Sequence, residues 1–77
     1  MQTNVKIDSS SNKRYYNKAN QLHREDGPAV EWGNGDKEWY KNGQCHREDG
    51  PAIEWADGRK AWYKEGKKLT KKQVEAL

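Results

Sequence analysis

The chain has 77 residues, 35% of them charged and 31% hydrophobic, with four Trp, four Tyr, no Phe and one Cys. That length allows one small domain with a thin core; the lone Cys45 excludes an internal disulfide and a cysteine-rich zinc site, and nothing approaches the roughly 20 apolar residues of a membrane helix. The net charge of +3 is uneven, about −1 up to residue 56 and +4 from residue 57 onward.

In chain order, residues 1–13 lack the apolar run of a signal peptide and read as a flexible tail on a cytoplasmic protein. Residues 14–77 read as a single repeat domain. Shifted by 23 positions, residues 22–40 fall on residues 45–63 with 13 of 19 pairs identical, which makes them tandem units. Tyr15-Tyr16 to Leu22 matches Trp39-Tyr40 to Cys45 with one residue inserted, so residues 15–22 are a half repeat at the end of the array. Repeat 23–45 and repeat 46–69 follow.

Within each repeat, two short runs rich in aromatic and β-branched residues flank a turn signal. Residues 29–32 and 37–40 are separated by Gly-Asn-Gly-Asp, and residues 52–55 and 60–63 flank Ala56-Asp57-Gly58. Gly58 is expected to supply a positive φ. Lys41-Asn42-Gly43 and Lys64-Glu65-Gly66 carry turn chemistry again. The expected fold is mainly β, tandem hairpins forming an elongated antiparallel sheet. Thr70 and Gln73 then read as a capping box opening a short helix over residues 70–77, which is expected to cover the last open sheet edge. Of the positions where the two repeats differ, Asp36/Arg59 and Glu38/Ala61 read as solvent positions.

Alternation along the strands places aromatics on both faces, Trp39 opposite Tyr40 and Trp62 opposite Tyr63. One face is therefore expected to form an aromatic-lined groove, a dimer seam or a partner site, the alternative being that Lys and Arg stems half cover it. Trp39, Tyr40, Trp62 and Tyr63 are the expected anchors, with Arg24 and Arg47 beside them, because aromatics and Arg dominate interface energetics. His23, Glu25 and Asp26, copied as His46, Glu48 and Asp49, contain acid, base and metal-ligand types, yet neighbouring residues on an extended segment point apart. A catalytic cluster has little reason to occur twice in identical form. The expectation is structural: Asp-Gly-Pro turns, with His and Arg paired to nearby carboxylates. No nucleophile constellation, phosphate loop or zinc pattern is present, and a metal or small-anion site at the two copied segments is the alternative to the structural reading. Cys45, which replaces Leu22, reads as a small buried hydrophobe.

The 23-residue unit, with Trp39-Tyr40-Lys-Asn-Gly43, His46 and Asp57-Gly58, and with Trp32, Asn34-Gly35 and Tyr63 in matching places, resembles the MORN repeat family over about residues 15–69. The departure is Arg-Glu-Asp-Gly-Pro after each His, where a typical member continues with His-Gly. This His-Arg-Glu-Asp-Gly-Pro-Ala form is similar to repeats in small proteins of bacteria and their phages. The resemblance implies stacked hairpins and a binding scaffold; membrane-lipid binding is not carried across the departure. The reading is a non-enzymatic protein-binding module, with a phage-encoded inhibitor of a bacterial defence or host protein as its specific form. The alternatives are a nucleic-acid or nucleotide-binding protein working through the Lys-rich end, and a structural module self-pairing as a homodimer.

Overall fold

The structure, a computed structural model, describes residues 4–76. Ten short strands and one helix follow one another: β1 (Asn4–Ile7), β2 (Lys13–Tyr16), β3 (Val30–Glu31), β4 (Lys37–Glu38), β5 (Tyr40–Lys41), β6 (Gln44–Cys45), β7 (Ile53–Glu54), β8 (Lys60–Ala61), β9 (Tyr63–Lys64), β10 (Lys67–Lys68) and α1 (Lys71–Glu75). Six strands form one antiparallel sheet in the order β1-β2-β3-β4-β7-β8, while β5·β6 and β9·β10 are separate two-stranded ribbons. The fold is therefore mainly β with a single short helix, as the spacing of turn signals requires.

Each unit builds one sheet hairpin and one side ribbon. The sheet hairpins close through Gly35 (φ 101°) and Gly58 (φ 96°), the ribbons through Asn42-Gly43 and Glu65-Gly66, all four of the latter at positive φ. Successive ribbons are stitched together: Gly43 N–H donates to Leu22 O at 2.8 Å and Gly66 N–H to Cys45 O at 3.0 Å. The half repeat starts this series. Tyr16 bridges Leu22, and Tyr15 O accepts from His23 N–H just as Trp39 O accepts from His46 N–H.

The core is thin because, among the described residues, the buried apolar ones are only Ala29, Val30, Ala52 and Ala61, with His23 also buried. Stability has to come from elsewhere as well. Cations cover the rings: Arg24 over Tyr15 and Arg47 over Trp39, both at 4.0 Å, Arg14 over Trp32 at 5.1 Å, Arg59 over Trp55 at 5.2 Å and Lys6 over Tyr16 at 5.4 Å. Such contacts add about 0.5–1 kcal/mol at exposed sites and more where water is excluded. Cross-strand partners also line up by charge. One row reads Ile7, Lys13, Glu31, Lys37, Glu54, Lys60, an alternating ladder from β2 to β8.

Three expectations change. Residues 4–7 are not tail: Asn4, Val5, Lys6 and Ile7 pair with Tyr16, Tyr15, Arg14 and Lys13 as an edge strand. Asp8 closes that hairpin, its carboxylate accepting from the N–H groups of Ser10 and Asn12 at 2.9 and 3.0 Å, and these bonds hold its pKa below the ordinary 3.8. Residues 1–3 lie outside the described ones. The helix has the expected capping box at Thr70 and Gln73 but buries none of its residues, and β8 remains the last strand of the sheet among the described residues. Leu77 also lies outside them. Finally, Asp36, Glu38 and Ala61 are not solvent positions. Asp36 accepts from Ala56 N–H at 2.7 Å, tying the two sheet turns together, and Ala61 is buried.

Candidate functional site

Each His-Arg-Glu-Asp-Gly-Pro segment folds back on its own guanidinium. Arg24 donates through Nε to Asp26 at 3.0 Å and through Nη1 to Pro28 O at 3.2 Å and Glu31 at 3.0 Å. Arg47 repeats this with Asp49 at 3.0 Å, Pro51 O at 3.1 Å and Glu54 at 3.1 Å. The glycine of each segment is explained by the same clamp. A Cβ on Gly27 would meet the Arg24 guanidinium carbon at 3.1 Å, and one on Gly50 that of Arg47 at 3.0 Å. Planar stacking on one side and in-plane bonds on the other use the fork geometry that lysine lacks.

The histidines have a different task. Nδ1 of His23 accepts from Asn42 N–H at 2.9 Å, and Nδ1 of His46 accepts from Glu65 N–H at 2.9 Å. Both donors belong to left-handed turn residues, Asn42 at φ 51° and Glu65 at φ 52°. Each imidazole thus pins the ribbon turn that follows it. Because Nδ1 is the acceptor, the Nε2 of His23 carries the proton and donates to Glu25 at 2.9 Å. Arg24, Arg47 and His23 pair with nearby carboxylates as expected, whereas His46 has no carboxylate partner among the described residues; the grip on the turn backbone was not legible, because the partner lies 19 residues away.

Between the two folded-back segments runs an open cleft of about 610 Å³, lined by Arg24, Trp39, Tyr40, Lys41, His46 and Arg47 among others. Its rim carries Glu25, Asp26, Glu48 and Asp49, all exposed. The Arg24 guanidinium holds the Asp26 carboxyl below its ordinary 3.8, so it is charged at neutral pH. No family model, no curated protein and no solved structure matches the chain.

Of the six anchors expected from sequence, Arg24, Trp39, Tyr40 and Arg47 come together in this cleft, and Trp62 and Tyr63 do not line it. Trp39 presents one face to Arg47 and is half-buried. Among the described residues no cation stacks on Tyr40, Trp62 or Tyr63.

Glu38 is the residue that sequence reasoning missed. Its carboxylate accepts from Trp32 Nε1 at 2.7 Å and from the Tyr40 hydroxyl at 2.9 Å. Burial and this carboxylate push the Tyr40 phenol well above its ordinary value, so it stays a donor. Burial, with Glu38 nearby, also pushes the Cys45 thiol up to about 11, which leaves little thiolate at neutral pH. In the second repeat Ala61 stands in place of Glu38, and neither Trp55 Nε1 nor the Tyr63 hydroxyl has a side-chain hydrogen-bond partner among the described residues. The two units are equal in backbone and unequal in side-chain chemistry. No group of three His, Cys, Asp or Glu is placed to hold a metal ion among the described residues. No described helix is long and apolar enough to cross a membrane.

Proposed function

We propose that this chain is a non-enzymatic protein-binding module that docks its partner in the cleft between the two arginine-clamped segments. One observation carries the reading: two copies of one rigid segment flank a half-buried Trp39 and Tyr40 and project four carboxylates from the rim. Stacked, hydrogen-bonded arginines cost little further ordering on binding, and aromatic floors with charged rims are the usual anatomy of interface anchors. The histidines, arginines and aspartates that suggested chemistry are engaged in holding turns, and Glu25 is bonded to His23. A partner presenting Lys or Arg around an apolar anchor fits best.

The resemblance of the unit to small bacterial and phage proteins directs the search to a bacterial host or defence protein in the cytoplasm, which this chain would inhibit by occupation. The test is capture from bacterial lysate with the wild-type chain beside an Asp26→Lys, Asp49→Lys double variant whose circular dichroism matches wild type. A protein held by wild type and released by the variant, then shown to bind in purified form, supports the reading; equal retention by both chains refutes the cleft. Nucleic-acid binding has its own supporting observation, the basic ribbon where Lys64 faces Lys67 across β9·β10. Co-purifying nucleic acid, released by moderate salt, would favour it.

A further inference from the structure

Resting on the protein-binding reading, but at a different place, we propose that the open edge at β8 is a strand-addition site for an extended acidic segment of another polypeptide. The sheet itself supplies the template. Where β4 meets β7, Lys37 faces Glu54, Glu38 faces Ile53, and Trp39 N–H donates to Ala52 O at 2.7 Å. At β8 the corresponding residues are Lys60, Ala61 and Trp62, and the sheet order ends there. Among the described residues Trp62 N–H has no backbone acceptor, although Trp62 O is used by Leu69 N–H at 2.8 Å. The edge therefore repeats the β4 half of an interface whose β7 half is missing.

Charge selects what fits. The ladder Lys13, Glu31, Lys37, Glu54, Lys60 alternates across the sheet and stops on a cation. An added antiparallel strand places its residue opposite Lys60 in the next, acidic rung, with a β-branched residue opposite Ala61 and a small one giving its carbonyl to Trp62. Lys64, Lys67 and Lys68 on the adjoining ribbon add to the same sign.

A second copy of this chain is a poorer occupant. Its own strand of that type, β7, is paired on both sides, and its open strand β1 offers Ile7 in the charge row rather than an acid. The lysine that deters pairing with like edges is what recruits an acidic one.

The experiment is an amide chemical-shift titration of the full chain with the hexapeptide Gly-Pro-Ala-Ile-Glu-Trp, the sequence of residues 50–55, and with the same peptide carrying Lys for Glu. The expected result is saturable shifts centred on Lys60 and Trp62, with a dissociation constant of about 1 mM or tighter. The lysine peptide should bind at least about tenfold more weakly, and Lys60→Glu should reverse the preference, its own fold checked by circular dichroism. Equal affinity for both peptides, shifts centred elsewhere, or none at a peptide concentration of several times 1 mM would overturn the inference. The cleft reading is scored separately, because Lys60 and Trp62 are not among the cleft residues and the Asp26, Asp49 variant leaves the edge intact.

Discussion

Replacing Glu38 tests the least expected feature of the structure. Glu38→Ala removes the acceptor for Trp32 Nε1 at 2.7 Å and for the Tyr40 hydroxyl at 2.9 Å. Hydrogen bonds to a charged group contribute about 1.5–3 kcal/mol each when well sheltered. Both donors and Glu38 itself are half-buried, so water recovers part of that, and a combined loss of about 2 kcal/mol is expected. For a domain of this size that is a fall in Tm of about 8–16 °C. Thermal unfolding followed by circular dichroism at neutral pH reads it, with the exposed Glu48→Ala as a control expected to stay within about 0.5 kcal/mol. Glu38→Gln keeps one carbonyl oxygen for Trp32 and should lose about half as much. If Glu38→Ala melts within a degree or two of the control, the carboxylate is a surface group and the network argument fails.

Further outcomes follow from the geometry. Gly58 sits at φ 96° with open space where a Cβ would be, so Gly58→Val should cost about 1–3 kcal/mol through backbone strain alone, measured by denaturant unfolding. Glu65 sits at φ 52° where the first repeat has Asn42, so Glu65→Asn should raise Tm by a few degrees, because Asn accepts that conformation more readily. Gly33→Ala should destabilise the β1·β2 hairpin, since the new Cβ would lie 2.4 Å from Ser10 O; faster amide exchange over residues 4–16 is the readout, and unchanged exchange would contradict the packing. For pH, the carboxyls of Asp8, Asp26 and Asp57 are held below 3.8 in the fold, so their contribution is complete above that value and is lost as pH falls through the lowered ones. The Cys45 thiol, raised from 9.0 to about 11, acts at the other end: its contribution is full below 9 and declines between 9 and 11, so Cys45→Ala should remove the loss between 9 and 10, above which the raised Tyr40 phenol adds its own.

Much of the fold was readable from the chain. The 23-residue identity and the glycines at turn positions locate both sheet hairpins and both ribbons, because positive φ is a strong local demand. The capping box at Thr70 was readable for the same reason, being local. Strand β1 was not. Asn-Val-Lys-Ile has no counterpart in either repeat and lies beside a Ser-rich turn, so its pairing with β2 rests on the tertiary partner rather than on pattern. The importance of Glu38 was hidden by its replacement with Ala61: variation between units marks solvent positions only when both versions face solvent, and here one completes a network while the other is buried. The cleft was half legible. Sequence named its arginines and aromatics, but Trp62 and Tyr63 were grouped with Trp39 and Tyr40 by repeat symmetry, and the cleft forms only where a second segment folds back beside the first.

The arginine stacks and the turn bonds make the array a chain of interlocks. Arg47 reaches back to the ring of Trp39 and Gly66 N–H to Cys45 O in the preceding unit, while His23 pins the turn at Asn42 within its own, so each unit is locked internally and to the one before it. A unit can therefore be added or removed only whole. A change of 23 residues would leave every guanidinium above a ring and every imidazole beneath a turn, whereas any other insertion between grips would strand one partner of each. Length in such a protein is counted in modules, and the place where its surface can diversify freely is the handful of exposed side chains, such as Glu48 and Lys60, that take no part in the interlock.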